Sequence, residues 1–319
     1  MSGAKRALVG LVVAAVAVPV VYLAVRLLRQ EEERARSTPY QYDVSAYMKV
    51  PENLIGYNEV KRIRGELDGL TGIALDSRDN IYVAVDKAVV VLNPEGVRQK
   101  RLELNAQARC LAVDKDGTIY VGMQDHVVVC ASSGERRAEW GSLGDKAVIT
   151  SIAVGTDDVF VADYGNRVVW RFDTSGALRG KVGEGRFVIP SPFFDVGLGS
   201  GGALWAANTG KRQVENYSYD GTLEKKWGTS SMELEGFCGC CNPSHFAIGA
   251  DGSFVTSEKG LPRIKVYDSN GTLLSVVAGP EAFDEGTTGV DLAVDSKGRI
   301  LAIVPNEAAI RVFEKKRGK

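Results

Sequence analysis

The stretch Phe237-Cys238-Gly239-Cys240-Cys241-Asn242-Pro243-Ser244-His245 holds the side chains best suited to chemistry. Three of the five cysteines and one of the two histidines fall within it. Three readings are open. Thiolates with an imidazole are soft ligands, so Cys238, Cys240, Cys241 and His245 could hold zinc or copper. Cys-x-Cys-Cys lacks, however, the two-residue spacing of common zinc knuckles. In an oxidising compartment the adjacent Cys240 and Cys241 could close a vicinal disulfide. That strained ring would have a relatively oxidising potential and could carry a ligand or partner. The third reading is structural, with thiols in a loop fixed by Pro243. Cys110 and Cys130 read as core residues, the usual fate of lone cysteines.

Other chemistries lack their motifs. The chain shows no Ser-His-Asp order, no phosphate-cradling glycine loop and no Rossmann fingerprint. It has no Cys-x-x-Cys-His haem site and no four-cysteine iron–sulfur spacing. Of 319 residues 45% are hydrophobic and 25% charged, as in folded proteins. With a net charge of −1, no basic excess argues for nucleic acid.

The elements that must position the cysteine stretch are short strands. Within 151–176, Ser-Ile-Ala-Val, Val-Phe-Val-Ala-Asp and Arg-Val-Val-Trp-Arg-Phe are separated by turns rich in Gly, Asp and Asn. Short β-branched and aromatic runs cut by such turns predict antiparallel strands. The unit recurs six times, with the small residue of its first strand at Ala74, Ala112, Ala153, Gly197, Ala247 and Ala293. A four-strand unit of this length predicts an all-β chain, a six-bladed β-propeller of four-stranded antiparallel blades. The sixth unit ends after its third strand, and a spare strand-like run at 59–64 precedes the first. Ring closure follows as an expectation: the early strand completes the last blade and leaves no open edge.

Aligned repeats show what one face of the disc presents. Two residues before the small residue stand Gly72, Cys110, Ser151, Asp195, His245 and Asp291. The second strands end at Val85, Met123, Asp163, Asn208, Glu258 and Val304, and nearby turns add Arg167, Lys211 and Lys259. The expected binding residues are therefore Asp163, Arg167, Asp195, Asn208, Glu258, Lys259 and Asp291, in units three to six. The alternative for the strand-end residues is local capping of their own turns. The cysteine stretch enters unit five on this face. Cys240, Cys241 and His245 are expected to form one patch with Asp195, Glu258 and Asp291.

The pattern carried by Gly72 to Asp76, Ile81 to Ala84, Asn166 to Asp173 and Asp291 to Asp295 resembles NHL repeats, over roughly residues 57–314. The resemblance implies the propeller and, for most such proteins, a binding platform. Some NHL-like propellers resemble lyases that hold zinc through several histidines at the axis; His126 and His245 cannot supply three. A lactonase-like calcium site would need oxygen ligands, which Asp195, Asn208, Glu258 and Asp291 could provide.

The amino terminus differs from the rest. Residues 7–25 are uncharged, flanked by Lys5, Arg6, Arg26 and Arg29, and as a helix would span about 28 Å, near the thickness of a bilayer core. The expected organisation is a signal-anchor at 1–29, a tether at 30–52 and the propeller at 53–319. The propeller is expected on the extracytoplasmic side of a single-pass membrane protein. Three functions fit. The first is an anchored platform that docks a protein or small ligand on the polar face of units three to six. The second is a metal-dependent lyase or hydrolase, and the third a redox accessory of a membrane electron-transfer complex.

Overall fold

Runs of Val, Ile, Ala and aromatic residues, broken every few positions by Asp-Gly-type turns, fold into six four-stranded antiparallel sheets. The computed structural model describes Arg26 and residues 44–317. The described residues from Tyr47 onward form one compact unit. The expected anchor at 7–25 and most of the tether at 30–52 lie outside the described residues. Among the described residues no helix is long and apolar enough to cross a membrane.

The innermost strands of the blades are Leu70–Leu75, Cys110–Val113, Ile149–Val154, Val196–Leu198, His245–Ile248 and Leu292–Val294. Each contacts the next around the ring, and the last contacts the first. Blade five continues through Phe254–Glu258, Arg263–Tyr267 and Leu273–Ala278. Blade six contains Leu292–Val294, Ile300–Val304 and Ala309–Lys315, and its outer strand is Tyr57–Arg64. The expected closure by the early strand is thus observed, two residues longer than 59–64.

Packing follows from the two-residue period of strands, which sends alternate side chains to opposite faces. Six apolar clusters lie between neighbouring blades. Ile73, Val83, Leu301 and Ile303 join blades one and six, and Trp205, Trp227, Phe237 and Phe254 join blades four and five. Side-chain oxygens add stitches near the axis. Thr71 donates to Ala108 O at 2.9 Å, Thr150 to Phe194 O at 2.6 Å, and Ser257 to Val290 O at 2.6 Å, each reaching the next blade. On the opposite face the aspartates serve their own turns. Asp76 Oδ1 accepts from Arg78 N and Asn80 N, and Asp295 Oδ1 from Lys297 N and Arg299 N.

Candidate functional site at the axial mouth and the cysteine loop

The expected site residues separate into three layers. The first belongs to the ends of the second strands. Asp163 accepts from Val148 N at 3.0 Å, Asn208 Oδ1 from Val188 N at 2.9 Å, and Glu258 from Cys238 N at 2.9 Å. In each case a buried polar side chain pins the segment that leads into its own blade. Asp163 also accepts from Asn166 and from Trp170 Nε1, and Asn208 donates to Glu215 at 2.9 Å. Local capping, the alternative weighed from sequence, describes Asp163, which also accepts from Asn166 N at 3.1 Å, whereas Asn208 and Glu258 bond segments 20 residues away. Arg167 is exposed in the same kind of turn, at a left-handed φ of 54°.

Glu258 is the most constrained of them. Arg263 grips it with two hydrogen bonds, at 2.9 and 2.8 Å, and Lys265 Nζ lies 2.8 Å from its other side. All three side chains are at most 1% exposed. Burial pushes the Glu258 carboxyl up, but Lys265 and Arg263 outweigh it and hold it below the usual range. Burial brings Lys265 down to about 8, against the pull of Glu258. The spare hydrogens of the cations go to the insertion before blade five: Arg263 to Met232 O, Lys265 to Leu234 O and Gly236 O. Cys238 packs into this layer, where burial and then Glu258 raise its thiol to about 11. Arg263 and Lys265 escaped the sequence reading because charged residues in a strand ordinarily face water. Their spacing was the available signal, since residues two apart share a strand face.

The second layer rings the axis. Asp195 takes the Ser151 hydroxyl at 2.5 Å and Phe246 N, of blade five, at 2.7 Å. Asp291 takes Ile73 N, of blade one, at 3.0 Å. The two carboxylates do equivalent work, each bonding the inner strand of the following blade. Cys110 belongs to the same ring, sealed against Gly122, and burial raises its thiol strongly. Burial likewise raises both carboxyls from 3.8 to about 6, with His245 opposing this at Asp195. A carboxyl whose folded value is raised contributes stability in full below its unfolded value and loses it as pH climbs through the folded value. Propeller stability should therefore fall as pH rises from about 4 to about 6. Melting curves across that window should be flatter for Asp291→Asn; an unchanged slope would show that Asp291 does not titrate there.

The third layer is the rim. Asn242 clasps the cysteine loop, donating to Cys238 O at 2.8 Å and Lys259 O at 3.0 Å and accepting from Lys259 N at 2.9 Å. The Asn242–Pro243 peptide is cis. Cys240 is exposed at the tip, while Cys241 is buried, and their sulfurs are 3.0 Å apart. Lys259 Nζ donates to Ser191 Oγ at 3.1 Å and lies 4.8 Å from the Phe193 ring centre. Phe193 meets His245 edge-on at 5.6 Å. Cys240, Cys241, Lys259 and His245 therefore share a rim with Ser191 and Phe193, two residues that sequence reading did not single out. Asp195 and Asp291 lie in the ring below, and Glu258 in the clamp. Of the expected patch, His245 and Asp195 act on one another electrostatically, while Glu258 is held by Arg263 and Lys265.

At the mouth a cavity of about 270 Å³ opens between Thr71, Arg109, Thr150, Phe193, His245 and Thr288. His245 lines it with a partly exposed ring, whose Nδ1 is buried without a hydrogen-bond partner. Burial lowers its pKa, with Asp195 opposing, so the ring is neutral at pH 7.

The residues do not fit the metals considered from sequence. Among the described residues no three His, Cys, Asp or Glu side chains are grouped to hold an ion. Cys238 turns toward Glu258, and Glu258 is neutralised by two cations, so neither the Cys–His set nor the four-oxygen set assembles. His126 pairs with Asp125 in blade two and adds nothing at the axis.

No protein-family model matches the chain, and no curated protein matches it. Among solved structures it is similar to a streptogramin B lyase, at 14% identity over 83% of this chain and 100% of that one, with a TM-score of 0.57. Similar too is a virginiamycin B lyase from Staphylococcus aureus, at 13% identity over 82% and 100%, TM-score 0.57. A structural-genomics protein of unknown function from Bacteroides thetaiotaomicron VPI-5482 aligns at 17% identity over 82% and 72%, TM-score 0.59. These likenesses show the fold, an all-β six-bladed propeller, and no more.

Proposed function

We propose that this chain is a membrane-anchored, NHL-type propeller that binds a small polar ligand at its axial mouth. The observation that carries this reading is the cavity at the mouth, lined by a partly exposed His245 beside Phe193 and Arg109. The cavity, about 270 Å³, suits a small molecule better than a protein segment. Phe193 supplies an apolar wall and His245 a neutral donor or acceptor. Residues 7–25 hold the body at the bilayer, and the body faces the extracytoplasmic side.

A propeller lyase or hydrolase is the second reading. It is supported by the likeness to streptogramin B lyases and by a neutral imidazole at the mouth, which could act as a general base. The missing metal ligands weigh against it.

One preparation tests the first reading. The full chain is extracted from membranes and examined by native mass spectrometry. A bound small molecule is expected on the wild type and lost in His245→Ala and Phe193→Ala, with residues 7–25 retained in the mass. Equal occupancy in all three proteins would remove the mouth as the site. A mature chain lacking residues 7–25 would remove the anchor.

A further inference from the structure

We propose that Cys240 and Cys241 are a redox-active vicinal dithiol that exchanges with disulfides of small thiols, Cys240 meeting the disulfide and Cys241 resolving it. This does not rest on a ligand in the axial mouth.

Adjacent residues of an extended chain point to opposite sides. Here the chain bends instead, with Gly239 at a φ of 67°, and both sulfurs come to one side at 3.0 Å. The bend is held at both ends: Glu258 binds Cys238 N, and Asn242 ties the loop to Lys259. The two thiols then differ in access and surroundings. Cys240 is open to solvent, whereas Cys241 is 3% exposed. Cys241 is hydrogen-bonded by Ser191 and Cys240 and faced by the Lys259 ammonium, which together overcome its burial and lower its pKa. Cys240 is raised, first by its hydrogen bond to Cys241. The remaining cysteines, Cys110, Cys130 and Cys238, are buried with raised thiols.

The exchange balances. With Cys241 starting as the thiolate, Cys240 gives its proton to Cys241, and the Cys240 sulfur attacks one sulfur of a disulfide RSSR. The S–S bond breaks, and the departing RS⁻ takes the proton from Cys241. The Cys241 thiolate then attacks Cys240 Sγ, and the second RS⁻ leaves. The pair loses two electrons and one proton, and RSSR becomes one thiol and one thiolate, which takes a proton from water. In reverse, an incoming thiolate reaches only the exposed Cys240 sulfur. Cys241 departs as a thiolate beside Lys259 and Ser191, and a leaving thiol of lower pKa leaves faster.

The test incubates the reduced full chain with oxidised glutathione and reads intact and peptide masses. Wild type should lose two hydrogens at the Cys240–Cys241 peptide and keep no adduct. Cys241→Ser should accumulate one glutathionyl group on Cys240. Cys240→Ser should react at least about tenfold more slowly than Cys241→Ser, and Lys259→Met should slow reduction of the wild-type disulfide by reduced glutathione about tenfold. A lasting adduct on wild type, an unreacted pair, or equal reaction of the two serine variants would each overturn the proposal. The wild-type mass alone decides it should a variant fail to fold.

Discussion

Glu258→Gln should destabilise the propeller by about 3–5 kcal/mol, because it strands two buried cations. Arg263 and Lys265 are within 1% of complete burial, and Glu258 is the acid that both face. Removing one partner of such a cluster leaves the desolvation cost of the others uncompensated. Cys238 N also loses its charged acceptor. The cost should shrink in alkali. Lys265 is depressed from 10.5 to about 8 in the folded protein, so the unfolded chain binds more protons between those values. Stability from this group therefore rises as pH climbs through that window. The loss of Glu258 lowers the folded value further and begins the recovery at lower pH. Denaturant unfolding at pH 7 and pH 10 measures both effects. Glu258→Gln combined with Lys265→Met should be less damaging than Glu258→Gln alone. A single variant within about 1 kcal/mol of wild type would mean that the cluster is solvated in solution.

Deleting residues 53–66 should abolish the monomeric fold. Tyr57–Arg64 pairs with Ala309–Lys315 through seven residue pairs and closes the last sheet. It buries Tyr57 and Ile63, each worth roughly 1.5–3 kcal/mol. Arg311 also loses Glu59, which holds its guanidinium at 2.5 Å. Without it the strand Ala309–Lys315 becomes an open edge, a template for pairing between chains. Light scattering and size exclusion of the deleted chain should show aggregates. A monomeric deletion with the wild-type melting temperature would mean that blade six stands on three strands.

Architecture was legible in this sequence because it depends on local, repeated chemistry. β-Branched runs, Asp-Gly turns and a six-fold repeat specify the strands and their number without long-range information. The closing strand could also be read, since a spare strand at one end matched a missing one at the other. The cysteine loop stood out by composition, and its place before blade five followed from the repeat.

What each polar residue does was decided only in three dimensions. Asp163, Asn208 and Glu258 align as one face, yet each bonds the backbone of an incoming segment, and that backbone carries no mark in the sequence. Asp195 and Asp291 align with His245, yet they bond the next blade, while His245 Nδ1 finds no hydrogen-bond partner. Ser191 and Phe193 reach the rim from the connection before blade four, about 50 residues from Cys241. Arg263 and Lys265 look solvent-facing until the insertion folds over them. Sequence determines which side chains are present and which way a strand turns them. Which donor meets which acceptor depends on how neighbouring blades and their connecting loops close together. In a low-dielectric interior that pairing decides whether a charge is a clamp, a staple or a reactive group.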